Sequence, residues 1–217
     1  MKIALIGATG FVGAAILQEA VNRGHNVTAI ARSTSKIESQ NGKVKAVEAD
    51  VFETDALAKA LKNNDIVISA YNPGWTNPEI YADFLKGAQS IESAVTASGV
   101  KRFIVIGGAG SLFVAPGVQL VDTPQFPADI KPGALAAKEY LDILKNNETL
   151  DWTFFSPAIE MHQGTAGIRR GEYRTALENP VFDDNNRSIL SVEDLAMAII
   201  DEAENPKFIR QRFTAAY

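Results

Sequence analysis

Near the start of the chain a short apolar run, Lys2–Ile6, meets three glycines in the order G-A-T-G-F-V-G, and a helical pattern runs from Phe11 to a C-cap at Gly24. Glycines at this spacing are poor material for starting a helix unless something must approach the backbone closely. Between a strand and a helix, with a second strand at Asn26–Ala31, each has its own use. Gly7 allows the tight turn, Gly10 admits a pyrophosphate that a Cβ would block, and Gly13 lets the helix pack on the strand. The helix start then offers free N–H groups and a positive dipole end to phosphates. Gly7, Thr9, Gly10, Phe11, Val12 and Gly13 are therefore the expected dinucleotide-binding residues. The alternative is a structural turn with no ligand.

The rest of the chain alternates in the same manner. Strands are expected at Lys43–Glu48, Asp65–Ala70, Arg102–Ile106, Trp152–Phe155 and Arg212–Ala216. Helices are expected at Thr54–Lys62 (capped by Thr54 or Asp55), Pro78–Ser98, Pro132–Asn147 and Val192–Glu204, the last with Ser191 as N-cap and Asp194 completing a capping box. Such alternation implies an α/β fold, a doubly wound parallel sheet of Rossmann type covered by helices on both faces. At 217 residues one domain spanning 1–217 is expected. Gly107–Lys131 reads as a long functional connection. Residues 157–190 read as a small, irregular substrate-side segment near the C-terminus, its Gly164–Arg174 part a lid.

Composition removes several function classes. The net charge is −5, so there is no basic footprint for nucleic acid or an anionic membrane. Cysteine is absent, which excludes disulfides, thiolate metal sites and a Cys nucleophile and suits a reducing, cytoplasmic setting. The two histidines, His25 and His162, make a transition-metal site improbable. Glycines interrupt the apolar stretch Ile3–Leu17, unlike a secretory signal, and no apolar run reaches ~18 residues. There is no G-x-S-x-G elbow of an esterase.

The end of the second strand selects the cofactor. Ala31 stands where a carboxylate would hold the ribose of NAD, and Arg32, 25 residues after Gly7, is followed by Ser33. An arginine can fork onto a 2′-phosphate with hydroxyls adding bonds, so NADP(H) is expected in preference to NAD(H). A solvated surface arginine is the alternative. Asp50 and Val51, after the third strand, face either the adenine or a turn that Asp50 caps. Ser69, Ala70 and Tyr71, after the fourth, are expected along the path to the nicotinamide. Tyr71, Trp75, Phe113 and Tyr173 offer aromatic surface near the expected mouth.

Taken together, G-A-T-G-F-V-G, A-R-S at Ala31–Ser33, A-Y-N-P-G at Ala70–Gly74, I-G-G-A-G-S-L at Ile106–Leu112, F-S-P-A at Phe155–Ala158 and S-V-E-D-L-A at Ser191–Ala196 resemble the atypical short-chain dehydrogenase/reductase superfamily. Within it the chain is most similar to the NAD(P)H-binding group named for NADH-flavin reductases, related to NmrA-like proteins. The likeness extends over nearly the whole chain, including R-Q-R-F-T at Arg210–Thr214. It implies cofactor contacts from Ser156, Pro157 and Ala158 as well.

One departure from that superfamily bears on the chemistry. Its members carry Tyr-x-x-x-Lys, with the Tyr as general acid, but four residues before Lys138 this chain has Ala134. Lys138 remains a candidate for the nicotinamide ribose, or a solvated helix residue. Ser111 is a candidate for bonding a substrate carbonyl, or a loop hydroxyl. His162 is a candidate acid, or a surface residue. Ketone reduction needs a placed proton as well as hydride, whereas a flavin takes its proton from water. The expected function is therefore hydride transfer from NAD(P)H to a small-molecule acceptor, such as FMN, another flavin or a quinone, by a monomer or homodimer. The alternatives are an NADP(H)-sensing regulatory protein and an epimerase or dehydratase. Arg169, Arg170 and Arg174 would give the lid a basic edge for a flavin phosphate, or form a solvated charge cluster.

Overall fold

The computed structural model describes residues 1–40 and 42–217. β1 (Lys2–Ile6) passes through the glycine turn into α1 (Phe11–Asn22), followed by β2 (Asn26–Ala31), β3 (Val44–Glu48), α2 (Thr54–Leu61) and β4 (Ile66–Ser69). Next come α3 (Ile80–Ser98), β5 (Arg102–Ile106), a short hairpin of β6 (Phe113–Ala115) and β7 (Val118–Gln119), α4 (Lys131–Leu144) and β8 (Asp151–Ser156). β9 (Arg174–Ala176), α5 (Val192–Glu204) and β10 (Gln211–Ala216) complete the order. No helix among the described residues is long and apolar enough to cross a membrane.

The main sheet has the order β3-β2-β1-β4-β5-β8-β10-β9. All its pairings are parallel except that of β9 with β10. This is the doubly wound Rossmann arrangement. The chain builds outward from β1 to β3, then restarts at β4 on the other flank of β1. The order thus reverses between β1 and β4, and sheets of this kind receive ligands at that crevice, beyond the carboxyl ends of the strands.

The central strands are apolar on both faces because both are covered. Ile3 and Leu5 pack with Ile16 and Leu17 of α1 and Leu195 and Ile199 of α5. Ala4 and Ile6 pack with Leu57 of α2, Phe84 and Ile91 of α3, and Tyr140 of α4. Burial of each such large side chain stabilises the fold by ~1.5–3 kcal/mol.

Local chemistry decides several boundaries. Ser191 caps α5 as expected, its Oγ accepting from the Asp194 N–H at 3.1 Å, but the capping box does not close: the Ser191 N–H donates to the Tyr217 hydroxyl, and the Asp194 carboxylate takes the Arg170 and Gly171 N–H groups. At α2 the expected cap does not form: the N-cap is Glu53, without a side-chain bond. Thr54 instead bonds Ser90 of α3 at 2.7 Å, and Ser90 donates onward to the Val51 carbonyl. A tertiary partner has taken the hydroxyl from its local role. α4 ends before Asn147, whose side-chain oxygen accepts from the N–H groups of Thr149 and Leu150 and turns the chain. The β6–β7 hairpin and β9 lie within stretches read as irregular. Strands of two or three residues are too short for a period to show in sequence.

Candidate functional site

The glycine turn separates into residues the protein itself requires and one it does not. Gly7 has φ +78°, and a Cβ there would lie 2.6 Å from the Ala70 carbonyl oxygen, so the turn is pressed against the end of β4. A Cβ on Gly13 would lie 2.1 Å from the Gly7 carbonyl oxygen. Gly10 differs. Its φ of −76° and ψ of 168° suit any residue, it is exposed, and a Cβ would meet only the Gly7 carbonyl oxygen, at 3.4 Å. What a side chain at Gly10 would fill is the open surface over the start of α1.

That helix start is unsatisfied. Its first internal donor is the Ala14 N–H, bonded to the Gly10 carbonyl. The N–H groups of Phe11, Val12 and Gly13 have no partner among the described residues. There is no side-chain cap and no acidic residue in the first turn. Thr9 and Phe11 are exposed beside this surface, and Val12 packs partly on the core. The arrangement fits a dinucleotide pyrophosphate: bare N–H donors, a positive dipole end and a glycine leaving room for close approach.

The neighbouring strand ends complete the crevice. Ala31 is buried, while Arg32 and Ser33 are exposed past the end of β2. Asp50 accepts from the Phe52 N–H at 3.0 Å, the turn-cap alternative. Val51 turns its side chain into the core and so offers a ligand no side-chain contact. Ser69 is buried and its Oγ accepts from the Tyr71 N–H at 3.5 Å. The Tyr71 phenol donates to the Asp83 carbonyl at 3.0 Å, its ring lying where a side chain on Gly87 would otherwise stand. Burial, then the Asp83 charge, pushes this phenol up to about 12; Arg32 opposes the shift and Asp50 adds to it. Tyr71 is thus a wall of the crevice, within electrostatic reach of Arg32, and its proton is committed.

The region after β5 and β8 is more closed than its sequence suggests. Ala134 is buried against the Ala109–Ser111 turn, its Cβ 3.1 Å from where a Gly110 side chain would begin, with Val121 and Phe126 crowding the same point. The loop therefore fills the place of a tyrosine ring. Tyr140 lies elsewhere: it is buried and donates to Glu92 at 3.1 Å, and burial first, then Glu92, raises its phenol well above the usual range. Lys138 sits 3.5 Å from Asp122 in an exposed ion pair. Ser111 is 2% exposed, and its Oγ accepts from Arg212 at 2.9 Å. Ser156, Pro157 and Ala158 are buried at the end of β8, the Ser156 hydroxyl without a partner among the described residues. His162 is exposed and accepts from the Gly164 N–H, closing its own turn.

The expected lid is fastened to α1, α5 and the end of β10. Arg169 pairs with Glu19 in the second half of α1, and the Arg170 and Gly171 N–H groups donate to the buried Asp194 carboxylate at 2.8 and 3.0 Å. Arg170 stacks 3.8 Å over the Tyr217 ring, and Arg174 donates to the carbonyls of Phe182 and Tyr217. Tyr173 donates to Asp201, which also pairs with Arg23 just past α1. Arg169 and the Tyr173 hydroxyl are thereby taken up beside the C-terminal half of α1, while Arg170 and Arg174 lie against Tyr217, just past the carboxyl end of β10. Of the expected basic edge, Arg169 is spent on Glu19 and Arg174 on two main-chain oxygens, and the Tyr173 hydroxyl expected at the mouth is spent on Asp201. Trp75 does stay exposed, beside Gly133 at the start of α4. A residue the sequence reading passed over is Arg212, a charge alternating with Phe213 inside β10; that pattern was its only signal.

Similarity to known proteins agrees with this geometry. Residues 7–206 match the family model described as NAD(P)H-binding. A solved structure from Bacteroides thetaiotaomicron, provisionally named as an epimerase, is 45% identical with a TM-score of 0.92, covering 100% of this chain and 96% of its own. One from Burkholderia pseudomallei, provisionally named as an exported protein, is 42% identical with a TM-score of 0.87, covering 100% of both chains. One from Streptococcus pneumoniae, provisionally named as an NADH-flavin reductase, is 35% identical with a TM-score of 0.87, covering 100% of this chain and 99% of its own. The three names diverge, but the shared architecture and the family match do not. The chain belongs to the NAD(P)H-binding family of atypical short-chain dehydrogenase/reductase oxidoreductases.

Proposed function

We propose that the protein is an NADP(H)-preferring reductase that passes hydride to a planar acceptor, a flavin or a quinone. The observation that carries this reading is the packing of Ala134 against the Gly110 turn, where a general acid would otherwise stand. The nearby phenols do not replace it, since Tyr71 is bonded to the Asp83 carbonyl and Tyr140 to Glu92. A ketone needs a proton placed in the transition state, whereas reduced flavins and quinones exchange protons with water. The same absence weighs against an epimerase.

In this reading the N–H groups of Phe11, Val12 and Gly13 hold the pyrophosphate, and Arg32 and Ser33 hold the 2′-phosphate. The walls formed by Ser69–Tyr71 and Ser156–Ala158 orient the nicotinamide and exclude water. When bound, the reduced nicotinamide supplies the hydride.

NADPH oxidation measured with FMN, riboflavin, menadione and a panel of simple ketones tests the proposal. Turnover with the flavins or the quinone and little with the ketones is expected. Robust ketone reduction would overturn the absence of an acid. Binding of NADPH without turnover on any acceptor would overturn the enzyme reading in favour of a cofactor sensor.

A further inference from the structure

Arg212 is 3% exposed at the second residue of β10, on the face opposite Phe213 and Ala215, which pack toward α1 and α5. Its Nη1 donates to the Ser111 carbonyl at 2.8 Å and to the Ser111 Oγ at 2.9 Å, and its Nη2 pairs with Glu178. Its Nε is buried without a partner among the described residues. So are the hydroxyls of Ser156 and Thr214, which are register neighbours across β8 and β10. The two unpartnered hydroxyls lie toward the carboxyl ends of β8 and β10, and the guanidinium reaches the turn that follows β5.

Burying a guanidinium is costly, and packing alone would be better served by an apolar residue. Its countercharge here is an unusual choice for a purely structural pair. The Glu178 side chain is 50% exposed and lies between β9 and α5, outside regular structure. The same stretch covers the arginine. Phe113 donates from its N–H to the Glu178 carbonyl, and the Asn179 side chain donates to the Phe113 carbonyl. The Phe113 ring lies 6.0 Å from the guanidinium. Arg212 is therefore a buried fork held by one solvent-reachable carboxylate, under a hairpin joined to that carboxylate's own segment.

We propose that Arg212 is the anion-binding residue of the acceptor site and that Glu178 occupies it until a carboxylate on the acceptor displaces it. The exchange conserves charge, since one carboxylate replaces another on the same fork. It would also give the buried Nε of the same fork a partner. This rests on the reductase reading for the acceptor's planar ring, and it narrows the physiological acceptor to those flavin- or quinone-like rings that also carry a carboxylate.

The test is calorimetric titration of the full chain, with and without NADP⁺, using 2-naphthoate and the neutral isostere 2-naphthamide as probes. Naphthoate is expected to bind at least about tenfold more tightly. Glu178→Gln keeps an acceptor for Nη2 and removes the competing charge. It is expected to tighten naphthoate several-fold and leave naphthamide unchanged, with a thermal melt confirming the fold. Arg212→Lys is expected to abolish the preference. Equal affinities for the two probes, binding of neither, or no tightening of naphthoate by Glu178→Gln would overturn the inference. The measurement needs no turnover, so the two readings fail separately. A naphthoate preference without flavin or quinone reduction overturns only the reductase reading, and reduction without the preference overturns only this one.

Discussion

Arg32 and Tyr140 show how far single residues carry the argument. Arg32 is exposed past the end of β2, free to meet a 2′-phosphate, and its charge reaches the Tyr71 phenol across the crevice. Losing a charge-assisted bond costs about 1.5–3 kcal/mol, roughly ten- to a hundredfold in affinity. Arg32→Ala should lose that much NADPH affinity while NADH affinity stays level, as read by titrating both cofactors. An equal loss of the two would remove Arg32 from the 2′-phosphate site. Tyr140 has an opposite role. Its hydroxyl is buried on Glu92, which also accepts from Asn147 at 2.6 Å. Glu92 thus keeps a partner in Tyr140→Phe, which should cost about 1–2 kcal/mol in denaturant unfolding and leave reductase turnover unchanged. A collapse of turnover in a folded Tyr140→Phe would make this tyrosine the missing acid.

Among the elements, the turn into α1 separates stability from function. Gly13→Ala places a methyl 2.1 Å from the Gly7 carbonyl oxygen, against backbone that cannot yield cheaply. It should destabilise the fold by about 3 kcal/mol or more, in the range of overpacking and backbone strain. Gly10→Ala has space and should melt within a few degrees of the unsubstituted chain. The sequence made this element legible because its signal is local: three glycines, a strand before, a helix after. The N-cap of α5 was legible for the same reason. The cap of α2 was not, because Thr54 bonds to a residue 36 positions away, a partner no local pattern reveals. The β6–β7 hairpin, β9 and the Arg212 cluster were hidden likewise. Arg212 meets Ser111 across 101 residues, and only the sheet order brings them together.

At the scale of the whole molecule, the Gly164–Arg174 part of residues 157–190 looked in sequence like a lid, yet an ion pair to α1 and hydrogen bonds to α5 anchor it. Glu19 is 4% exposed, and its burial would raise its pKa, but hydrogen bonds from Arg169 and Arg23 outweigh this and hold it below the usual glutamate range. A carboxylate whose folded value is depressed stabilises the protein above its unfolded value, and the gain is lost as pH falls through the folded one. Arg169→Ala should therefore cost about 1 kcal/mol at neutral pH, a figure reduced because Arg169 is half-exposed. The difference from the unsubstituted chain should shrink in acid as Glu19 protonates. A deficit in urea unfolding that stays constant from neutral to acid pH would mean that Arg169 acts by packing alone.

Everything proposed for this protein depends on a dinucleotide lying over the start of α1, and Gly10→Val tests that most directly. The backbone at Gly10 accepts any side chain, and its Cβ meets nothing closer than 3.4 Å, so the variant should fold with a thermal midpoint within a few degrees of the unsubstituted chain. The branched side chain would stand where the pyrophosphate must approach. Calorimetric titration with NADPH should show affinity reduced by at least about a hundredfold, equivalent to ~2.7 kcal/mol. A folded Gly10→Val that binds NADPH with unchanged affinity would contradict the account.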